Sequence, residues 1–290
     1  MDLEQRPSWS KGDLRRLGEA LVIDRAATPD DCPSYGEVML WHNELATEAA
    51  IRIATELWAA TPPNQLSITA RAKTVDTLVQ KLQRQTTLKL GQVQDLAGVR
   101  VDADMVLTHQ TELAEHIAEH FGAARSRIKD MRETPHSGYR AVHVWLALPA
   151  GRVEVQIRTL AQSEWANAYE DFAELLGRGI RYGERHENAD VRLVVDKMHR
   201  VSEIIALREK VIDAAWEAER AIEELAAEAA LDPMDSLVNE NGLNTAQVVG
   251  LGRAQLAELS ETLLKVRSQI ELFVQILREL RRDLQEEEEV

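Results

Sequence analysis

The chain has 290 residues, 44% of them hydrophobic, which is enough for one large or two small globular domains. Its formal net charge of −15 argues against nucleic-acid binding over the whole surface. The single cysteine, Cys32, excludes an internal disulfide and a multi-cysteine zinc site, and it suits a reducing compartment. No run approaches the roughly 20 apolar residues of a membrane span, and no signal-type apolar core is present. We therefore expect a cytoplasmic protein without a membrane partner.

Helices dominate the first part of the predicted fold. Apolar residues recur at helical spacing over 35–60, and the prolines of TPPNQ (61–65) end this helix because proline cannot continue the hydrogen-bond ladder. A second amphipathic helix is predicted over 74–86. We expect residues 1–65 to form an N-terminal helical region.

Strands and helices follow one another in the middle of the chain. Alternating apolar and polar residues predict the strands, and a period near 3.6 residues predicts the helices. The predicted elements are strand 95–103, helix 108–121, strand 124–131, strand 141–148, strand 152–159 and helix 161–176. This order predicts an α+β fold with a mixed sheet.

The part of the chain over 184–290 is predicted to be a helical extension. Residues 189–229 are rich in Ala and Glu, and LDPMDSLVNENGLN (231–244) interrupts the pattern as a break or linker. The last helix, about 251–286, carries an unbroken heptad pattern, which fits either a coiled coil with another chain or a helix folded back on its own chain. Its a and d positions are Leu256, Leu259, Leu263, Val266, Ile270, Phe273, Leu277, Leu280 and Leu284.

The segment 66–158 is locally basic, with 13 Lys and Arg against 10 Asp and Glu, and this excess fits an anion site of limited size. Arg71 and Lys73 precede the second predicted helix, whose N-terminal N–H groups and dipole favour anions. Thr77 and Lys81 lie four residues apart on one face of that helix. These residues indicate a phosphate site, against the plainer interpretation of ordinary surface cations.

Acidic residues stand in two of the predicted strands. Asp95 begins the first of them and suits Mg²⁺, which takes one or two carboxylates and completes its shell with phosphate oxygens and water. In RVEVQIRT, the valines and the isoleucine alternate with Glu154, Gln156 and Arg158. This polar side faces either solvent or a binding site.

A third cluster surrounds Tyr139, which follows Ser137 and Gly138. An aromatic ring amid cations fits the stacking of a base and the binding of its phosphates, whereas a packed tyrosine is the plainer interpretation. The cations and the imidazole of this cluster are Arg127, Lys129, Arg132, Arg140 and His143. The sequence contains no GxxxxGK[ST], GxGxxG or GxSxG motif.

Taken in order, these motifs resemble the synthetase domain of RelA/SpoT-type enzymes, which make the alarmones pppGpp and ppGpp. The motifs are RAKTVDTLVQKL, DLAGVRV, RIKD, SGYRAVH and EVQIRT followed by WANAYE. The resemblance covers 66–183 and implies a nucleotidyltransferase-like mixed sheet flanked by helices. Because the paired His and His-Asp metal motifs of the family's hydrolase domain are not found, the chain is similar to the small, synthetase-only members.

The resemblance implies that ATP gives its β,γ-pyrophosphate to the ribose 3′-hydroxyl of GDP or GTP and releases AMP. Asp95 and Glu154 would bind Mg²⁺, Glu154 could also serve as the base for the hydroxyl, and Tyr139 would stack on guanine. The residues carried over to the ATP side are Arg71, Lys73, Thr77 and Lys81. Those carried over to the surrounding phosphates are Arg100, Lys129, Arg140 and His143. Gln156 and Arg158 would line the pocket beside Glu154.

Two departures from the family pattern lie on the acceptor side. His136 follows Pro135, where a lysine is frequent, and Met131 stands where the family usually has KDY. They leave open a toxin-type relative that pyrophosphorylates adenine nucleotides or the 3′ end of tRNA, the one alternative with a nucleic-acid partner. A third interpretation is a non-catalytic protein that binds nucleotides or acts through its coiled coil. The expected partners are otherwise ATP, GDP or GTP, and a second copy of the chain bound through the C-terminal helices.

Overall fold

The computed structural model describes residues 1–57, 66–231 and 243–288, which form two compact units. The first unit comprises Met1–Asp104, Gln110–Glu133 and Ala141–Thr159, and the second comprises Met105–His109, Thr134–Arg140 and Leu160–Val290. The domain boundaries predicted from the sequence stay a prediction. Within the described ranges, no helix combines the length and the apolar character needed to cross a membrane.

Two helices open the first unit. Helix α1 (Lys11–Ile23) begins with a capping box, in which Ser10 Oγ accepts from the Asp13 N–H and the Asp13 carboxylate accepts from the Ser10 N–H. Helix α2 (Tyr35–Leu57) confirms the first predicted helix, and its predicted TPPNQ stop lies outside the described residues. Because α2 packs against three strands of the sheet, it supports the framework on which the site is built.

Two further helices belong to the predicted α+β pattern. Helix α3 (Val75–Arg84) and helix α4 (Leu107–His120) confirm the helices predicted around these positions. Helix α3 packs with α1 in an apolar cluster that includes Leu17, Leu21 and Leu78, all of them completely buried. This packing holds α3 in place, and α3 carries two of the predicted phosphate-binding residues, Thr77 and Lys81.

A five-stranded mixed sheet confirms the predicted fold class. The strand order is β1-β2-β5-β4-β3, with β2 parallel to β5 and the other neighbours antiparallel. The strands are β1 (Leu66–Ala72), β2 (Ala97–Ala103), β3 (Ser126–Asp130), β4 (Val142–Leu148) and β5 (Gly151–Thr159). Strands β2 to β5 confirm the four predicted strands, and β1 is an edge strand that the sequence patterns do not predict.

The two faces of this sheet differ in polarity. Val99 and Val101 of β2, and Val155 and Ile157 of β5, are completely buried. Because side chains alternate along a strand, the intervening polar residues project from the opposite face. The predicted site residues of β2, β4 and β5 are among these intervening residues.

The second unit is predominantly helical. It contains α5 (Leu160–Leu176), α6 (Ala189–Leu231) and α7 (Thr245–Glu288), and α7 packs against both α5 and α6. Within the described residues, α7 is therefore a helix folded back on its own chain, one of the two interpretations of the heptads. A coiled coil with another chain stays a prediction. Most of the predicted break at 231–244 lies outside the described residues. The side chain of Leu284 also lies outside them.

Candidate active site

The first part of the site lies where β1 ends and β2 begins. Lys73 follows β1 directly, and Asp95 precedes the antiparallel strand β2 by two residues. Lys73 Nζ lies 2.6 Å from Asp95 Oδ2, and Lys81 Nζ, on α3, lies 2.7 Å from Asp95 Oδ1. Burial would raise the pKa of the Asp95 carboxyl, but attraction to the two ammonium groups outweighs burial and lowers the pKa to about 2. Asp95 is therefore a charged carboxylate held between two cations.

Glu154 on β5 forms the second part of the site. Its Oε2 accepts from Gln156 Nε2 at 2.8 Å, and its Oε1 accepts from Trp145 Nε1 at 3.0 Å and lies 3.3 Å from His143 Nδ1. Burial would raise the pKa of the Glu154 carboxyl, but hydrogen bonding and attraction to His143 outweigh burial and lower it. The charge of Asp95 opposes this lowering, so the two carboxylates lie close enough to influence each other.

Strand register aligns the site residues in two rows on the polar face, because residues paired across a sheet share a face. One row runs through Arg71, Gly98, Glu154, Trp145 and Arg127. The next row runs through Thr69, Arg100, Gln156, His143 and Lys129. Gly98 leaves the position between Arg71 and Glu154 without a side chain, and a Cβ there would lie 3.3 Å from the Arg71 carbonyl oxygen. Glu154 and Gln156 of β5 therefore lie in rows that also contain the cations Arg71, Arg127, Arg100 and Lys129.

Two other predicted site residues have partners in the protein itself. Arg158 is 1% exposed, and its Nε lies 3.0 Å from Asp102 Oδ1 on β2, so its guanidinium takes part in a buried ion pair. At the start of α3, Thr77 Oγ1 donates to the Thr74 carbonyl at 2.9 Å. The pocket roles assigned to Arg158 and Thr77 stay predictions.

The second unit contains the predicted residues Tyr139 and Arg140. They follow a tight turn whose central residues have positive φ, 50° at Ser137 and 80° at Gly138, as in a type I′ turn. Tyr139 packs against the apolar cluster of this unit, and Arg140 Nε donates to Ser202 Oγ at 3.2 Å. The structure thus brings the predicted carboxylates and lysines together in the first unit, whereas these two acceptor-side residues belong to the second.

The two carboxylates fit a divalent cation that prefers oxygen ligands. Mg²⁺ takes one or two protein carboxylates and fills its remaining positions with water and phosphate oxygens. Asp95 and Glu154 offer that number of carboxylates, both charged at neutral pH because their pKa values are lowered. Among the described residues, no cluster of three or more His, Cys, Asp and Glu side chains is placed to hold a metal ion.

Two residues of this arrangement, Trp145 and Asp102, are not among those predicted from the sequence. Trp145 donates to Glu154, and Asp102 pairs with Arg158. The available signal for Trp145 was its position two residues after His143, which places both on one face of β4. The available signal for Asp102 was its position two residues after Arg100, which places both on one face of β2.

Comparison with known proteins assigns the chain to a family. Residues 70–172 match the model of the region found in RelA and SpoT proteins. The uncharacterized protein Rv1366 of Mycobacterium tuberculosis (strain ATCC 25618 / H37Rv) is 57% identical over 187 residues, which cover 64% of this chain and 67% of Rv1366. Residues 70–172, matched by the family model, lie inside the 66–183 segment that carries the motifs.

Solved structures of similar proteins include two from bacteria. Small alarmone synthetase 1 of Bacillus subtilis is 20% identical with a TM-score of 0.47, covering 64% of this chain and 96% of that one. A GTP pyrophosphokinase family protein of Streptococcus pneumoniae is 20% identical with a TM-score of 0.48, covering 61% and 92%. With its RelA/SpoT region containing the paired carboxylates and the lysines of the site, this chain belongs to the RelA/SpoT family.

Proposed function

We propose that this protein is a Mg²⁺-dependent pyrophosphotransferase that moves the β,γ-pyrophosphoryl group of ATP to the 3′-hydroxyl of GDP or GTP. Its products would be ppGpp or pppGpp and AMP, made without a hydrolase activity in a reducing compartment such as the cytoplasm. The observation that supports this most is the contact of Asp95 with Lys73 and Lys81 close to Glu154, inside the RelA/SpoT region. A reaction that brings two nucleotides together needs such cations and metal-binding carboxylates to offset concentrated negative charge.

The ATP side of the proposed site is built on Lys73 and Lys81. In the free protein their ammonium groups contact the two oxygens of Asp95. The same groups can turn toward phosphate oxygens when a nucleotide enters, because a lysine ammonium is a compact charge on a flexible stem. A bound Mg²⁺ would supply charge neutralisation for the pyrophosphoryl group and would be held by Asp95 and Glu154. Arg71 and Thr77 complete the proposed ATP contacts.

The acceptor side supplies the attacking oxygen. The 3′-oxygen attacks the β-phosphorus of ATP, the bond from that phosphorus to the oxygen shared with the α-phosphate breaks, and AMP leaves with that oxygen. The hydroxyl proton would pass to the Glu154 carboxylate, the base that the resemblance implies, and from there to water. Tyr139 would stack on guanine, and the phosphate contacts would come from Arg100, Lys129, Arg140 and His143. Gln156 and Arg158 would line the pocket.

The test is a turnover assay on matched variants. Wild-type protein, Glu154→Gln and Glu119→Gln receive γ-labelled ATP, Mg²⁺ and GDP or GTP, and the products are separated. Glu119 is exposed on α4, so its variant controls for loss of one negative charge. We expect transfer in the wild type and in Glu119→Gln, and a loss of at least 100-fold in Glu154→Gln, as for other groups that stabilise transition-state charge. Full activity of a folded Glu154→Gln would refute the role assigned to this carboxylate.

The same assay separates the alternative functions. The departures at Met131 and His136 favour offering ADP and deacylated tRNA as further acceptors. Label that moves only to ADP or tRNA would keep the ATP side of the proposal and replace the acceptor. Nucleotide binding without transfer to any acceptor would support a non-catalytic binding protein.

We also propose that α6 and α7 bind a second copy of the chain. Apolar side chains remain exposed along both helices, among them Leu207 at 63%, Leu264 at 65% and Leu272 at 54%. A two-helix hairpin buries only one stripe of each helix, and a second hairpin would cover the rest. Light scattering should show a dimer or higher oligomer that the double variant Leu264→Lys, Leu272→Lys dissociates. Leu40→Lys, at an equally exposed site on α2, should leave the mass unchanged, and a monomeric wild type would refute this proposal.

A further inference from the structure

Trp145 connects the carboxylate and the cations of the first unit. Its indole Nε1 donates to Glu154 Oε1 at 3.0 Å. Its ring lies under two cations of the neighbouring strand β3, with Lys129 Nζ 5.3 Å and Arg127 Cζ 6.0 Å from the ring centroid. One rigid side chain therefore contacts a proposed metal ligand with its polar edge and a proposed phosphate-binding lysine with its face.

The indole differs in chemistry from the other neighbours of Glu154. An indole N–H can only donate, whereas the amide of Gln156 can turn its oxygen toward a neighbour and the imidazole of His143 has two tautomers. The contact from Trp145 to Oε1 is thus the only one of the three whose polarity is fixed by covalent structure. It fixes the plane of the Glu154 carboxylate, so that one oxygen accepts from the indole and the other accepts from Gln156.

The indole also sets where the ammonium group of Lys129 stands. Lys129 is exposed on β3, and a free lysine side chain there would sample many rotamers. Attraction between the ammonium group and the face of the indole restricts that sampling and keeps the charge on the polar face of the sheet. Register places Lys129 directly opposite His143, in the row next to that of Glu154 and Trp145.

We propose that Trp145 is a positioning residue of the active site, which orients Glu154 through its N–H and Lys129 through its ring. The inference rests on the proposed function in giving Glu154 a metal ion to hold and Lys129 a phosphate to bind. The inference adds that the side chain of Trp145 sets the distance between the Glu154 carboxylate and the Lys129 ammonium group.

Two substitutions separate the two contacts. Trp145→Phe keeps an aromatic face for Lys129 and removes the donor to Glu154, whereas Trp145→His returns an aromatic N–H at the same position. Trp41→Phe is the matched control, because Trp41 Nε1 donates to the Ala150 carbonyl at 2.8 Å in the same unit, outside the proposed site. Each variant is first compared with the wild type by circular dichroism and urea unfolding.

The main readout is equilibrium binding rather than turnover. Mn²⁺ binding is followed by electron paramagnetic resonance in the presence of AMPCPP, whose methylene group replaces the bridging oxygen that transfer would release. We expect the Mn²⁺ affinity to fall about 10- to 150-fold in Trp145→Phe, the loss typical of one hydrogen bond to a charged group. We expect it to recover at least partly in Trp145→His and to stay at the wild-type value in Trp41→Phe. The affinity for AMPCPP without metal should change less than 2-fold in Trp145→Phe, because the ring under Lys129 is retained.

Several results would overturn the inference. These are a wild-type Mn²⁺ affinity in Trp145→Phe, an equal loss in Trp41→Phe, equal losses in the Phe and His variants, and no Mn²⁺ binding by the wild-type protein. If Trp145→Phe does not fold, the Mn²⁺ affinity of Trp145→His decides the inference. A wild-type affinity in the His variant supports the role of the N–H donor. A lost affinity in a folded His variant refutes it. Failure of the proposed function is recognised separately, by the absence of label transfer in the wild-type turnover assay.

Discussion

Replacing Asp95 by asparagine should destabilise the protein by about 2 kcal/mol at pH 7. The two lysine contacts lower the pKa of Asp95 from its ordinary value of 3.8 to about 2. Each pH unit of lowering corresponds to about 1.4 kcal/mol of preference for the charged form in the folded state, which gives about 2 kcal/mol here. The three side chains are between 15% and 27% exposed, so solvent screens these contacts less than it screens surface ion pairs.

The pH dependence of this contribution has a definite sign. A carboxylate with a lowered folded-state pKa stabilises the protein above its unfolded-state value, near pH 4, and loses this contribution as the pH falls toward about 2. The difference in unfolding free energy between the wild type and Asp95→Asn should therefore be constant from pH 7 to pH 5 and should shrink below pH 4.

Urea unfolding of the wild type, Asp95→Asn and Asp104→Asn checks this reasoning. Asp104 is an exposed aspartate of the same unit, and its variant should remain within about 0.5 kcal/mol of the wild type. If Asp95→Asn behaves like Asp104→Asn at pH 7, or if its deficit persists undiminished at pH 3, the lysine contacts do not stabilise the folded state as described.

Three further outcomes can be measured on the same protein. Asp102→Ala should lower the unfolding free energy by about 3 kcal/mol in urea, because it leaves the buried guanidinium of Arg158 without its carboxylate; a loss below about 1 kcal/mol would contradict this. Gly138→Ala should cost at least about 1 kcal/mol more than Gly177→Ala, since both glycines have positive φ but only a Cβ at Gly138 would meet an indole ring, at 2.8 Å; equal costs would show that the clash relaxes freely. Burial raises the pKa of Tyr169 to about 12, so an absorbance titration should show this phenol ionising late, and stability should fall between pH 10 and 12 as the unfolded chain ionises first; ionisation near pH 10 in the folded protein would refute it.

Most of the fold was predictable because its period is visible in the sequence. The alternation in RVEVQIRT predicted β5. The spacing of apolar residues predicted α2, whose observed bounds agree with the prediction as far as the described residues extend. Strand β1 was missed because LSITARA contains few large apolar residues and forms an edge strand, which is paired on one side only. Its position depends on antiparallel pairing with β2, which is set by tertiary contacts rather than by local sequence.

The site was predictable in its residue types but not in its contacts. Motifs identified Asp95, Lys73 and Lys81, yet nothing in separations of 22 and 14 residues indicated that both lysines contact the one aspartate. Trp145 was read only as part of a strand, because an aromatic residue in a β pattern usually contributes packing. Its hydrogen bond to Glu154 follows from the pairing of β4 with β5, which the sequence alone does not fix.

The central claim, transfer of a pyrophosphoryl group to a guanine nucleotide, is tested most directly by ³¹P NMR of wild-type protein incubated with Mg²⁺, ATP and GDP. We predict new resonances of a 3′-diphosphate on the guanosine, with one AMP formed for each product molecule and no free phosphate or pyrophosphate. Formation of ADP and phosphate, release of free pyrophosphate, or an unchanged spectrum with nucleotide bound would contradict the proposed reaction.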